Sequence, residues 1–110
     1  MNYNIFLTSS FQKEFKALFK KHPSLAKDLS NLTDIIKVNP NIGISIGKGC
    51  YKIRMSITSK GKGKSGGARV ITCVKIVHQS IYLLSIYDKS DRETVDDTEP
   101  TMLLEAAGLL

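Results

Sequence analysis

Arg69-Val-Ile-Thr-Cys-Val-Lys-Ile-Val-His-Gln-Ser-Ile-Tyr-Leu-Leu-Ser-Ile-Tyr87 is the stretch on which the fold turns. Its two halves, 69–78 and 81–87, are rich in β-branched and aromatic residues, and Gln79-Ser80 between them reads as a tight hairpin turn. Neither half alternates cleanly between apolar and polar positions, so both strands are expected to be central and buried on two faces. Upstream, Tyr51 to Ile57 does alternate. Ile53, Met55 and Ile57 fall on one face and Lys52, Arg54 and Ser56 on the other, the pattern of a half-buried strand. The three segments predict an antiparallel meander with one cationic side.

A sheet of this kind needs a cover, and the first forty residues supply one. After a short strand at Tyr3–Leu7, Ser9 or Ser10 is placed to cap a helix. Phe11, Phe15, Leu18 and Phe19 then form one apolar stripe, with Lys13, Lys16, Lys20 and Lys21 on or beside the polar side. Pro23 is suited to open a second helix, whose stripe is Leu25, Leu29, Leu32 and Ile36. That helix should end before Asn39-Pro40, because a residue preceding proline is pushed out of the α region. At the other end, Thr98-Glu-Pro-Thr-Met-Leu-Leu-Glu-Ala-Ala-Gly reads as a short helix with Thr98 or Asp97 as cap and Pro100 in its first turn. The expected order is β-α-α-β-β-β-α, an α+β domain with two N-terminal helices packed on a mainly antiparallel twisted sheet.

The chain has 110 residues, which points to a single domain over 1–110. Its net charge of +6 conceals a division. Residues 1–90 balance at +11, with Glu14, Asp28, Asp34 and Asp88 as their only acids, while residues 91–110 balance at −5. A field so lopsided attracts polyanions, so nucleic acid or an acidic protein segment is the natural partner. No run approaches the ~20 apolar residues of a membrane span, and the N-terminus lacks the features of a signal peptide. A cytoplasmic protein is expected. Cys50, Cys73, His22 and His78 have no metal-ligand spacing, so reduced core thiols are expected, with no metal, no cofactor and no disulfide framework.

Gly63-Lys64-Ser65 resembles the end of a phosphate-binding loop. The glycine such a loop needs five positions earlier is Thr58, and a strand follows where a helix should, so a nucleotide site is excluded. What remains is a basic loop whose Lys60, Lys62 and Lys64 alternate with small residues, suited to following phosphates. Lys52 and Arg54 share a strand face and Arg69 opens the next strand, so these cations should converge on an open, concave sheet surface, with Tyr87 and Lys89 at its end. Neither a Ser-His-Asp nor a Cys-His set is present. Cations can nonetheless run RNA cleavage, since the 2′-hydroxyl is the nucleophile and the main demand is to stabilise extra negative charge at phosphorus. A lysine or tyrosine of near-neutral pKa would take the 2′ proton.

Cys50-Tyr-Lys-Ile-Arg-Met, Gly66-Gly-Ala-Arg-Val-Ile and Ile81-Tyr-Leu-Leu-Ser-Ile-Tyr-Asp-Lys resemble the RelE/ParE superfamily of toxin–antitoxin toxins, nearest its RelE/HigB-like branch. The N-terminal Phe15-Lys, Lys20-Lys-His-Pro-Ser-Leu and Asp28-Leu are also similar. The resemblance implies ribosome-dependent mRNA cleavage, with the ribosome, mRNA and a cognate antitoxin as partners. It places Arg69 at the scissile phosphate, Lys52 and Arg54 along the mRNA backbone or in proton transfer, and Lys89 and Tyr87 at the strand end. The loop lysines and Arg92 would contact RNA. Ser90 stands where RelE has an arginine assigned to the leaving group, with Arg92 the nearest substitute. No aromatic follows Tyr87 to provide the terminal stacking residue, Thr94 and Val95 lying nearby. ParE toxins share the fold, so a DNA gyrase inhibitor without nuclease activity is the alternative, and a toxin reduced to antitoxin binding is a third reading.

Overall fold

The computed structural model describes residues 2–61, 63, 66–92 and 98–110. Five strands form one sheet in the order β1-β5-β4-β3-β2: β1 (Asn4–Leu7), β2 (Ile44–Gly47), β3 (Cys50–Met55), β4 (Ala68–Lys75) and β5 (Ser80–Asp88). β1 lies parallel to β5 at one edge, and the other three pairings are antiparallel. The expected α+β architecture is therefore present, with β4 at the centre and β5 beside it. Helices α1 (Ser9–Lys21) and α2 (Leu25–Val38) cover one face. Helix α3 (Glu99–Ala106) packs on the other. Among the described residues no helix is long and apolar enough to cross a membrane.

The helix stripes meet the sheet largely as their spacing predicts. Phe11, Leu18, Leu25, Leu29, Leu32 and Ile36 are buried against Ile53, Met55, Ile57, Val70, Ile81 and Ile86, whereas Phe19 remains 42% exposed. Two helix starts differ from expectation. The cap of α1 is Thr8, whose Oγ1 accepts from the Phe11 N–H at 3.3 Å and donates to the Leu83 carbonyl at 2.9 Å. That second bond ties the helix start to β5, which Ser9 and Ser10, already inside the helix, do not do. Pro23 lies in the turn before α2, and Ser24 takes the N-cap position.

Strand β2 is absent from the expected order. It is four residues long and joins β3 through Lys48 and Gly49, both at positive φ (56° and 76°), the backbone of a type I′ hairpin. The β4–β5 connection is also longer than a Gln79-Ser80 turn. Ile76–His78 form one 3-10 turn, and Gln79, at φ 49°, completes the reversal. Strand β5 therefore begins at Ser80, and one extra residue, Leu84, bulges between its pairings with Ile71 and Thr72.

Candidate functional site

Register brings the predicted residues into line. Arg54 on β3 stands opposite Arg69 on β4, and Arg69 stands opposite Tyr87 on β5, so the three make one row across the inner strands, one residue from their ends. Two pairings away from that row along the strands, Lys52 on β3 stands opposite Ile71. Like charges directly opposed on neighbouring strands are destabilising. An arginine pair kept on the inner strands of a sheet therefore points to a use other than stability.

Gly67 aims the row. A Cβ built there would stand 2.2 Å from the Met55 carbonyl oxygen, so only glycine lets the returning loop lie against the end of β3. Its own carbonyl accepts from the Lys89 N–H at 3.0 Å. The chain thus enters β4 clamped between β3 and the turn after β5, with fully buried Ala68 followed at once by Arg69.

The expected open, concave face is not what forms. Leu103, Leu104, Ala107 and Leu109 of α3 and the residues after it pack with Cys50, Ile71, Cys73, Leu84 and Tyr87 in a second apolar cluster. Arg69 is only 5% exposed and Tyr87 9%. Arg69 Nη1 donates to the Ala68 carbonyl at 3.1 Å. Arg92 lies over the Tyr87 ring, its guanidinium carbon 4.0 Å from the centroid, and pairs with Glu99 at the start of α3. Among the described residues the buried Tyr87 hydroxyl has no partner in hydrogen-bond geometry. Burial pushes its pKa up, with Glu99 adding to the shift and Arg92 and Arg69 opposing it. A tyrosine base near neutrality is therefore not present in this closed arrangement. Arg54 is exposed, Lys52 half-buried, and Lys89 half-buried in the turn after β5.

The basic loop divides as well. Lys60 is not a free cation of the loop tip: its Nζ donates to both Asp88 oxygens at 2.9 and 3.0 Å, and only 15% of its side chain is exposed. Lys62 and Lys64 lie outside the described residues, as do Thr94, Val95 and Asp97. Asp88 also faces His22 Nε2 at 3.3 Å and accepts from Ser90 N and Oγ at 2.9 and 2.8 Å. Burial would raise the Asp88 carboxyl, but Lys60 and Ser90 outweigh it and bring its pKa down to about 2. Asp28 plays a similar part nearby, accepting from Thr58 and Ser24 and so holding the loop base to α2.

The anchoring role of these acids went unnoticed in the sequence, where Asp28 and Asp88 register as exceptions in a basic field and as parts of the family resemblance. Glu14 was missed too. Strand β1 pairs only with Ser80–Leu83, and beyond it the Ile86 N–H at the sheet edge donates to Glu14 Oε1 at 3.4 Å. Burial pushes the Glu14 carboxyl up against the opposing effects of Ser85, Ile86 and Arg92. The only signal for it was one acid in a helix otherwise lined with lysine. A further feature is a groove of about 810 Å³ between α2 and β3, where β2 stops pairing at Lys52. Leu32, Ile35, Ile42 and Ile44 give it an apolar lining, and Lys52 and Arg54 stand among its walls.

The family model for the RelE toxin of RelE/RelB toxin–antitoxin systems matches residues 3–110. Solved structures of similar fold include a mutant of the E. coli toxin RelE in the free state, with 17% identity over 98% of this chain and 96% of that one and a TM-score of 0.62. The isolated E. coli RelE toxin is similar at 16% identity, 91% and 95% coverage and a TM-score of 0.61. A chain of the RelBE2 toxin–antitoxin complex from Mycobacterium tuberculosis matches at 14% identity, 80% and 99% coverage and a TM-score of 0.61.

Proposed function

Because this chain belongs to the RelE toxin family, we propose that it is a ribosome-dependent mRNA endoribonuclease whose active row is Arg54, Arg69 and Tyr87. The observation that supports this reading most is the register of that row, two arginines and a phenol side by side across three strands. The 2′-hydroxyl of the message attacks the adjacent phosphorus and the 5′-oxygen leaves, giving a 2′,3′-cyclic phosphate and a 5′-hydroxyl. Arg69 carries the charge that develops at phosphorus, and Arg54 and Lys52 hold the backbone on either side. Lys89 lies at the strand end toward the leaving group. Tyr87, protonated, is suited to stacking or to donating a proton. Arg92 stands on the ring of Tyr87 and is the cation available where Ser90 has no charge; Ser90 instead holds Asp88.

A message reaches this row only after the Arg92–Glu99 pair and α3 move aside. The partner that restrains the toxin is a cognate antitoxin. Its chemistry should be acidic and apolar together, to match either the groove beside Lys52 and Arg54 or the surface that α3 covers.

Replacing Arg69 by Ala should lower cleavage of translated mRNA by roughly 10²–10³-fold and abolish growth arrest, the usual cost of losing a preorganised charge. Cleavage is read by primer extension in cells expressing the toxin. Because Arg69 is buried, circular dichroism must show that the variant is folded, and exposed Arg54→Ala supplies a second variant whose folding is not at stake. Growth arrest by a folded Arg69→Ala protein would overturn the assignment. Inhibited DNA supercoiling with intact mRNA would favour the gyrase-binding reading, which the burial of Arg69 and Tyr87 suits better than an open row would.

A further inference from the structure

The face that carries the arginine row also holds a pair of thiols. Cys50 and Cys73 are register partners on β3 and β4. The Val74 N–H donates to the Gly49 carbonyl at 2.9 Å, which is the bond flanking a non-hydrogen-bonded antiparallel pair, the closer of the two kinds. Cα atoms in such a pair stand about 4.5 Å apart, at the near end of the span a disulfide bridges. Both thiols are free and fully buried. Cys50 Sγ donates to the Lys48 carbonyl at 3.8 Å, and the closeness of the two sulfurs divides their chemistry. It pushes the Cys50 thiol up, and draws Cys73 below the ordinary thiol range against the effect of burial, with Lys75 assisting. Two thiols of unequal acidity thus stand paired on facing strands, Cys73 the more acidic.

We propose that Cys50 and Cys73 are a reversible redox site, oxidised by a hydroperoxide to an intramolecular disulfide when α3 lifts. The Cys73 thiolate attacks one peroxide oxygen, the O–O bond breaks, and water or an alcohol leaves after taking up a proton. The resulting sulfenic acid is attacked by the Cys50 sulfur, the S–S bond forms, the S–O bond breaks, and the second oxygen departs as water. Two electrons pass from the thiols to the peroxide, and a dithiol later returns them. Leu103 and Leu104 share an apolar cluster with both cysteines, so access is governed by the same helix that closes the arginine row. A bridge at this position ties β3 to β4 four pairings along each strand from Arg54 and Arg69.

The test treats the full chain with hydrogen peroxide, then quenches, unfolds and alkylates it for mass spectrometry. The expected product is a monomer lighter by two hydrogens, unalkylated at both positions and restored by dithiothreitol. Glu99→Gln, which frees the start of α3, should form it several-fold faster. Two alkylatable thiols after treatment, a sulfinic acid on either cysteine or disulfide-linked dimers would each overturn the proposal. A rate unchanged in both Glu99→Gln and Leu104→Ala, the second loosening the apolar seat of the helix, would overturn the part assigned to α3.

Discussion

Among the described residues, helices of 13 and 14 residues close a core of fifteen buried apolar side chains on one face of the sheet; on the other, a helix of eight residues closes a cluster of six. The first face holds no arginine and needs none. The second carries Arg69, Tyr87 and both cysteines, and its cover is held by Leu104, a few half-buried neighbours and one arginine–glutamate pair. Stability and chemistry are thus assigned to opposite sides of the same strands. Under the proposed function the cover comes off to admit RNA and has to be the weaker one, because regions that open are drawn from the low-stability end of a structure.

The contrast can be broken by truncating one buried side chain on each face. Phe11→Ala should cost about 3–5 kcal/mol, the usual loss for a phenylalanine removed from a packed core. Leu104 is just as buried, yet Leu104→Ala should cost less than half as much, since α3 can detach while the sheet and the two long helices stay folded. Urea denaturation measures both. Equal losses would mean that the two faces unfold as one unit and that α3 is no removable cover.

The same contrast explains what the sequence disclosed. The helix face was legible because 3.6-residue stripes and a two-residue alternation are local patterns, and Leu25, Leu29, Leu32 and Ile36 reached the core as spaced. Strand β2 was not, since Ile44 and Ile46 alternate over too few residues to stand out before the Lys48-Gly49 turn. The partnering of β1 with β5 joins segments more than seventy residues apart, which no local period encodes. For the site, the shared face of Lys52 and Arg54 followed from the alternation of β3. The Arg69–Tyr87 alignment did not: it arises from the longer β4–β5 turn and the Leu84 bulge, since a Gln79-Ser80 turn would have set Arg69 opposite Ser90. Nor did the burial of Arg69, which depends on α3 folding back over the sheet. The change of charge after residue 90 was the one hint of that return. Lys60 taught the converse: three evenly spaced lysines read as one cationic loop, while a carboxylate at the end of β5 had already claimed one of them.

Acid tests the polar tie that fastens the helix face to the loop. Asp88 has a folded pKa of about 2 against 3.8 for the ordinary group. Its stabilisation is therefore complete above pH 3.8 and drains away as pH falls through about 2, a contribution of about 2 kcal/mol. Asp28 is lowered too and acts in the same direction, while raised Glu14 acts in the opposite one. Asp88→Asn should flatten most of the stability loss between pH 4 and 2, about the interval bounded by the two Asp88 values, in thermal melts read across that range. A melt series that keeps the wild-type slope would show that the Lys60–Asp88 bridge does not hold the loop in solution.

The smallest expected effect is the most specific to the covered face. Arg92 is 39% exposed at its side chain, so its pair with Glu99 is worth less than about 1 kcal/mol to global stability. Glu99→Gln should accordingly leave the melting transition almost unmoved, while speeding amide hydrogen exchange across Glu99–Ala106. The Tyr87 phenol reports the same opening through its charge. Burial raises its pKa and the Glu99 carboxylate raises it further, whereas Arg92 lowers it. Removing that carboxylate and loosening the cover both bring the value back toward 10.0, the ordinary tyrosine value. Ultraviolet titration, with Tyr87→Phe to isolate this one of four tyrosines, should show the downward shift in the Glu99→Gln protein. A phenol that titrates as in the parent, beneath a helix whose amides exchange no faster, would mean that apolar packing alone seats α3. Opening would then have to begin at Leu104 rather than at Arg92.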